Sequence, residues 1–395
     1  MTPIELPTRR AGLFDPPPEL AELRARRPVC PLRFSDGHVG WLVTRYDLAR
    51  KLLMDSRFSV RPTRLVVGDV LASDIPGEGV VIGLDPPDHT RVRRLQTAYF
   101  TPRRTAELRP AVERIVAERL AAMAASDPPV DLLQQFALPV PSMTLCELLG
   151  IPLGERERFE AQHDAAFDPG RSDEERDAAW EQFRRFAEEI SERKRLAPTD
   201  DLLGKVVATG ELTDAELVGV VEQLVSAGHH TTANMLALSA FFLLADPRRW
   251  EGLSAAVRDD PATIEPAVEE LLRYLTLLQI GAFTRTALED VELGGTLIRA
   301  GESVSVSLSA ANRDPQRFPN PDTFDPARDP SGHLSFGLGR HMCLGQHLAR
   351  LEMQVGLRGL LTRFATLALA VPVDEIRLHE GEHVIQGVYE LPVVW

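Results

Sequence analysis

The chain has 395 residues, 44% hydrophobic and 26% charged, the make-up of a globular protein long enough to bury both a core and a cofactor. Its net charge of −14 argues against nucleic-acid binding, which needs a basic surface. No run of about 18 uncharged apolar residues occurs and the first residues, Met1-Thr2-Pro3-Ile4-Glu5-Leu6-Pro7, lack an apolar run, so neither a membrane span nor a signal peptide is expected. The cysteines, Cys30, Cys146 and Cys343, show no paired spacing, which points to a reducing compartment, the cytoplasm, without a disulfide framework.

In chain order, residues 17–27 predict a short helix. Residues 31–44 predict a β-hairpin turning at Asp36-Gly37, and 45–53 return to helical period. Residues 59–84 mix Pro, Gly and Val without period and read as a long loop of the functional or disordered kind. Asp85-Pro86-Pro87 opens a helix in which His89 and Arg93, four apart, share a face. That face is either a carboxylate-binding pair or an ordinary solvated basic surface. Thr101-Pro102 starts a helix to about Ala125, with Thr as cap and Pro in the first turn. Further helices are expected over 132–149, 155–166 and 174–196, the last two joined at Asp168-Pro169-Gly170.

Thr213-Asp214-Ala215-Glu216 is a capping box opening a long helix that stops at Asp246-Pro247. Its middle, Ala227-Gly228-His229-His230-Thr231-Thr232, is unfavourable locally: Gly is a poor helix former, and Thr hydroxyls bond back to carbonyls and bend the helix. Such a defect leaves a groove for dioxygen or water. Residues 263–274 form a helix holding Glu270 and Arg273 on one face. Residues 283–309 alternate as strands with glycine turns. Residues 312–328 are proline-rich irregular chain, and the C-terminal piece Val384-Ile385-Gln386-Gly387-Val388 predicts a last hairpin.

The most informative stretch is Phe336-Gly337-Leu338-Gly339-Arg340-His341-Met342-Cys343-Leu344-Gly345, followed by a helix over 347–364 with apolar residues near helical period. A cysteine just before a helix N-terminus has its thiolate favoured by backbone N–H groups and the helix dipole. Without a second Cys nearby, this suits a single axial bond to haem iron better than disulfide or zinc chemistry. The bland alternative is a buried structural Cys in a tight turn.

This loop resembles the haem-binding loop of the cytochrome P450 monooxygenases: Phe, two residues, Gly, one residue, a basic residue, one residue, Cys, one residue, Gly. Phe336, Gly339, His341, Cys343 and Gly345 fill those places. The resemblance covers the whole chain with its motifs in order, and looks like the soluble bacterial kind. It implies one mainly α domain over residues 1–395 with a smaller β region near 31–44, 283–309 and 369–395. Haem b would be held between the long helix and the Cys loop. Cys343 would be the iron ligand, and His89, Arg93, Arg285 and His341 would bind the propionates. Thr231 matches the Thr that steers protons, and Glu270 with Arg273 matches a structural pair completed by a later Arg, Arg313 or Arg328. His230 departs from the family by standing where an acid is usual. It either shuttles protons, contacts substrate, ligates iron or is a satisfied buried His.

The implied reaction is insertion of one oxygen atom into a mid-sized hydrophobic substrate, a natural product such as a polyketide, macrolide or terpenoid. No flavin or dinucleotide motif is present, so electrons would come from ferredoxin and ferredoxin reductase, with Arg91, Arg94, Arg103, Arg104 and Arg340 as a candidate docking patch. The alternatives are a peroxide-using or ring-coupling haem-thiolate enzyme and a non-catalytic haem-binding protein.

Overall fold

The structure is a computed structural model that describes residues 2–34, 36–61, 77–168, 170–278, 284–379 and 385–395. Most of the 59–84 loop, Pro169 of the expected joint, Ile280 and Phe283, which the sequence places after the Glu270 helix as pocket-facing residues, and Val384 of the expected last hairpin lie outside them. The backbone divides into two compact units. One comprises Met1–Asp74, Asn234–Cys343 and Leu360–Trp395; the other comprises Ile75–Ala233 and Leu344–Gly359. No helix among the described residues is long and apolar enough to cross a membrane.

The first unit holds the β region. Strands Val29–Arg33 and Val39–Val43 pair antiparallel as the expected hairpin, and the second runs parallel to Ser303–Val306. Thr284–Ala287 and then Phe58–Ser59 complete this sheet. Val43, Val304, Val306, Leu48, Leu52 and Phe318 pack into one core against it. Burial of such side chains is worth about 1.5–3 kcal/mol each and sets the sheet's inner face. In the C-terminal stretch, Pro392–Val394 pairs with Ala368–Leu369, and Val388 makes an isolated bridge to Leu378.

The second unit is almost all helix. Thr101 caps Pro102–Ala124 by accepting the Arg104 N–H at 3.3 Å. The capping box at Thr213 and Glu216 forms reciprocally, at 2.9 and 3.1 Å. The helix it opens runs unbroken from Asp214 to Leu244. One expectation needs correction. Residues 132–149 are not a single α-helix but a wide turn, Leu133–Ala137, followed by Pro139–Leu149. Pro139 and Pro141 lack N–H donors, so the α-helical bond pattern cannot run through the junction. Three helices the sequence reading missed, Leu202–Ala208, Pro247–Asp259 and Leu308–Asn312, carry local start signals: Asp201, Asp246 and Ser307 accept from the Gly204, Arg248 and Ala310 backbone N–H groups.

Candidate active site

The Cys343 loop belongs to the first unit and is held from behind by buried polar contacts. Glu270 and Arg273, both fully buried, form a two-point pair at 2.7 and 2.8 Å. Arg328, not Arg313, completes the cluster by donating to Glu270 at 3.1 Å. Arg313 instead stacks on Tyr274, 3.6 Å from the ring centroid, and pairs with Asp322 at 2.9 Å. Arg273 also donates to the Asn312 and Pro321 carbonyls at 2.8 and 3.0 Å, which pins the proline-rich chain to the Ile264–Leu275 helix.

Asn312, which the sequence reading did not single out, is the next link. It donates to Thr276 and Ser335 at 2.9 Å and accepts the Leu334 N–H at 2.7 Å. Ser335 donates to the Leu272 carbonyl at 2.7 Å, and His333 meets Glu269 at 3.0 Å. The residues entering the loop are thus tied to the same helix that carries Glu270.

Within the loop, the Cys343 N–H donates to the Phe336 carbonyl at 2.8 Å, closing the segment on itself. Gly337 and Gly339 sit at φ +69° and +76°, where L side chains are strained. A Cβ on Gly339 would also stand 2.5 Å from the Leu53 carbonyl oxygen. The glycines therefore serve the turn and a close approach to backbone. Phe336 and His341 are half-buried, and Arg285, on the sheet, is 9% exposed with its guanidinium donating to the Thr284 carbonyl at 2.9 Å.

The three cysteines separate sharply. Burial pushes the Cys30 thiol up to about 11 and Cys146 up to about 12, so both stay protonated. Cys343 is exposed. That rules out the buried structural reading of its turn and fits the donor a haem iron takes: one soft sulfur presented outward from a rigid backbone.

The other expected residues belong to the second unit. His89 is buried in the first turn of Asp88–Thr97 and Arg93, one turn on, is half-buried. Gly345 accepts the Ala349 N–H at 2.9 Å at the start of the helix after the loop. The long helix is buried from Leu217 to Val225 and again from Thr232 to Leu244, and reaches the surface in between at Ser226 to Thr231, with His229 still buried. Thr231 donates to the Ala227 carbonyl at 2.6 Å, the expected back-bond. A Cβ on Gly228 would stand 3.0 Å from Leu145, so the glycine also lets the Pro139–Leu149 helix pack closely.

His230 Nε2 lies 2.6 Å from Asp164 Oδ1 on Arg156–Ala166. His229 is 1% exposed, and burial holds its pKa well below the ordinary value. The adjacent histidines therefore differ: His230 is partnered and half-buried, His229 buried and neutral.

Glu352 was missed altogether. It is 2% exposed on Gln346–Arg363, and burial pushes its pKa up to about 8, partly offset by the Thr144 and Thr232 hydroxyls. An acid inside an apolar stripe nine residues after Cys343 was the available signal. The basic patch is weaker than its composition. Arg91 pairs with Glu216, Arg94 with Glu211, and Arg104 with Glu107 at 2.6 Å.

A family model for cytochrome P450 matches residues 262–379. Cytochrome P450 105C1 of a Streptomyces species is 45% identical over 398 residues, covering 100% of this chain and 99% of the relative. Pentalenic acid synthase of Streptomyces avermitilis is 38% identical, covering 100% and 98%. Among solved structures, the mycinamicin VIII C21 methyl hydroxylase MycCI of Micromonospora griseorubida, bound to mycinamicin VIII, superposes with a TM-score of 0.90 at 37% identity, covering 99% of this chain and 100% of that one. With likeness of this extent from end to end, the chain belongs to the cytochrome P450 family, as a haem b-binding monooxygenase.

Proposed function

We propose that the protein, acting as one catalytic domain in the cytoplasm, hydroxylates or epoxidises a mid-sized hydrophobic natural product. One atom of dioxygen enters the substrate and the other leaves as water, with electrons from a ferredoxin recharged by ferredoxin reductase. The observation that carries this reading is the exposed Cys343 thiol on a loop braced by buried ion pairs. The natural-product class is supported by relatives whose names specify pentalenic acid and mycinamicin chemistry.

In this reading Cys343 is the iron ligand, and His89, Arg93, Arg285 and His341 bind the propionates by charge-assisted hydrogen bonds. Phe336 and Gly345 complete the loop. Haem b, when bound, supplies the activation of dioxygen, and thiolate ligation favours O–O cleavage. The chain's own task is then to deliver protons and exclude bulk water. Thr231, at the accessible stretch of the long helix, holds a hydroxyl that gives its proton to Ala227 and keeps its oxygen as an acceptor. Gly228 keeps that stretch low. His230 receives protons through half-exposed Asp164, so a His–Asp pair performs the relay that an acid performs elsewhere in the family.

The test is the absorption spectrum of the haem-loaded protein, ferric and then reduced under carbon monoxide. A strongly red-shifted Soret band that disappears in Cys343→His supports the assignment. A Soret band in the position of His-ligated haem in the unaltered protein overturns it. Turnover with reduced ferredoxin and dioxygen, and not with peroxide alone, separates this reading from a peroxide-using enzyme.

A further inference from the structure

His163 and Asp164 on Arg156–Ala166, with His229 and His230 on Asp214–Leu244, converge inside the second unit. One ligand atom from each lies within 4.8 Å of every other. The His230 ring is central, 4.6 Å by centroid from both His163 and His229. We propose that these four side chains form a second metal site, separate from haem, for a divalent transition metal with zinc as the fitting ion.

The burial pattern is the second observation. His163 is 2% exposed and His229 1%. None of their four ring nitrogens has a hydrogen-bond partner among the described residues. At His229 the Glu160 carboxylate stands 3.8 Å away, beyond hydrogen-bond reach, and the Leu138 backbone gives weak support that only partly replaces water. Buried imidazoles left in this state are costly, because their lost water is not replaced. A metal ion replaces it.

The donor set selects the ion. Three imidazoles and one carboxylate suit zinc and its neighbours, whereas magnesium and calcium need mostly oxygen ligands. Zinc bonds of about 2.0–2.1 Å put tetrahedral ligand atoms roughly 3.3 Å apart. Reaching this from a spread of at most 4.8 Å moves each atom of the widest pair about 0.7 Å, within side-chain freedom. Asp164, half exposed, gives the ion its entry and the site its one negative charge. Phe159 and Phe183 meet His229 and His163 edge to face, Phe167 packs tilted against His163, and the three supply the apolar wall that strengthens such ligation. Zinc here would tie the two helices together at His230 and, by holding the His230–Asp164 pair, would block the proton relay proposed above, so the zinc-bound form is the inhibited form and the metal-free form the active one.

The experiment uses haem-loaded protein, in which Cys343 is already engaged, titrated with zinc ion alone. After desalting, metal analysis should give one zinc per chain. Zinc-edge X-ray absorption, which the haem iron does not disturb, should show nitrogen or oxygen neighbours near 2.0 Å with three imidazole signatures and no sulfur. Asp164→Ala and His229→Phe should each weaken zinc binding by about tenfold or more. Their reduced carbon monoxide spectra, unchanged, would show that fold and haem are intact. If His229→Phe fails to load haem, Asp164→Ala decides. Absence of binding at about 100 μM zinc, a sulfur shell, or affinity unchanged in Asp164→Ala overturns the proposal. The haem assignment stands or falls separately, on the carbon monoxide spectrum.

Discussion

The two most deeply buried glutamates among the described residues, Glu270 in the first unit and Glu352 in the second, are treated oppositely by the protein. Glu270 meets two guanidinium groups, Arg273 and Arg328, and the Asp325 N–H at 3.1 Å. Among the described residues the groups acting on Glu352 are the Thr144 and Thr232 hydroxyls, and burial pushes its pKa up to about 8. A buried carboxylate with cations on both sides can stay charged and bind distant chain together. One offered only neutral partners takes up a proton instead. The first arrangement makes the rigid mount behind Cys343. The second makes a group that titrates near neutrality, beside Thr232 on the helix that carries Thr231.

Removing a partner from the first arrangement should have the largest effect. Glu270→Gln leaves Arg273, fully buried, without its counter-charge, and should cost about 3–5 kcal/mol in chemical denaturation. Haem retention should fall with it, since Asn312 and the loop entry hang from the same cluster. A loss below about 1 kcal/mol would show that the pair does not brace the loop.

Glu352→Gln should act in the other direction. The folded protein binds this proton more tightly than the unfolded chain, whose ordinary value is 4.5, so stability is lost as pH rises between about 4.5 and about 8. An uncharged amide escapes that loss. The variant should be more stable than the parent by on the order of 3 kcal/mol at pH 7, and the two should converge near pH 4. Melting temperatures of both proteins across that range give the answer, and parallel curves would refute the raised pKa.

Intermediate in size is the effect at Asp164. Asp164→Asn leaves His230 with a neutral neighbour and should slow product formation by about 10- to 100-fold, with a larger solvent isotope effect and an unchanged carbon monoxide spectrum. The low end is expected because Asp164 is half exposed and water can partly replace it. An unchanged rate would remove the His–Asp relay.

How much of this could be read in advance follows the same division between local and distant causes. Capping boxes, the Thr101 cap and the hairpin at Asp36-Gly37 depend on residues a few places apart, and they form as the sequence predicts. Phe336 to Gly345 is legible because its pattern is contiguous. Asp164 was not, because it stands 66 residues from His230, and nothing in an exposed-looking helix of acidic and basic residues marks which carboxylate will meet that histidine. Arg328 was legible only as one of two candidates. Its choice over Arg313 is made by Tyr274, whose ring and carbonyl take the Arg313 guanidinium. The break at Leu138-Pro139 was readable and was overridden by the apolar period around it.

The smallest effect is expected where charge meets solvent. Arg103 and Arg104 have side chains 93% and 57% exposed and share Glu107, itself half exposed. Pairs of this kind contribute roughly 0–1 kcal/mol, so Arg103→Glu with Arg104→Glu should leave stability unaltered. What it changes is the long-range field that an acidic ferredoxin meets. At low salt the rate of reduction should fall several-fold, and at about 0.15 M salt, where the screening length is about 8 Å, most of the difference should vanish. Equal rates at low salt would mean that the donor docks elsewhere, since the partner that these two arginines share, Glu107, is itself exposed and no buried group among the described residues pairs with them.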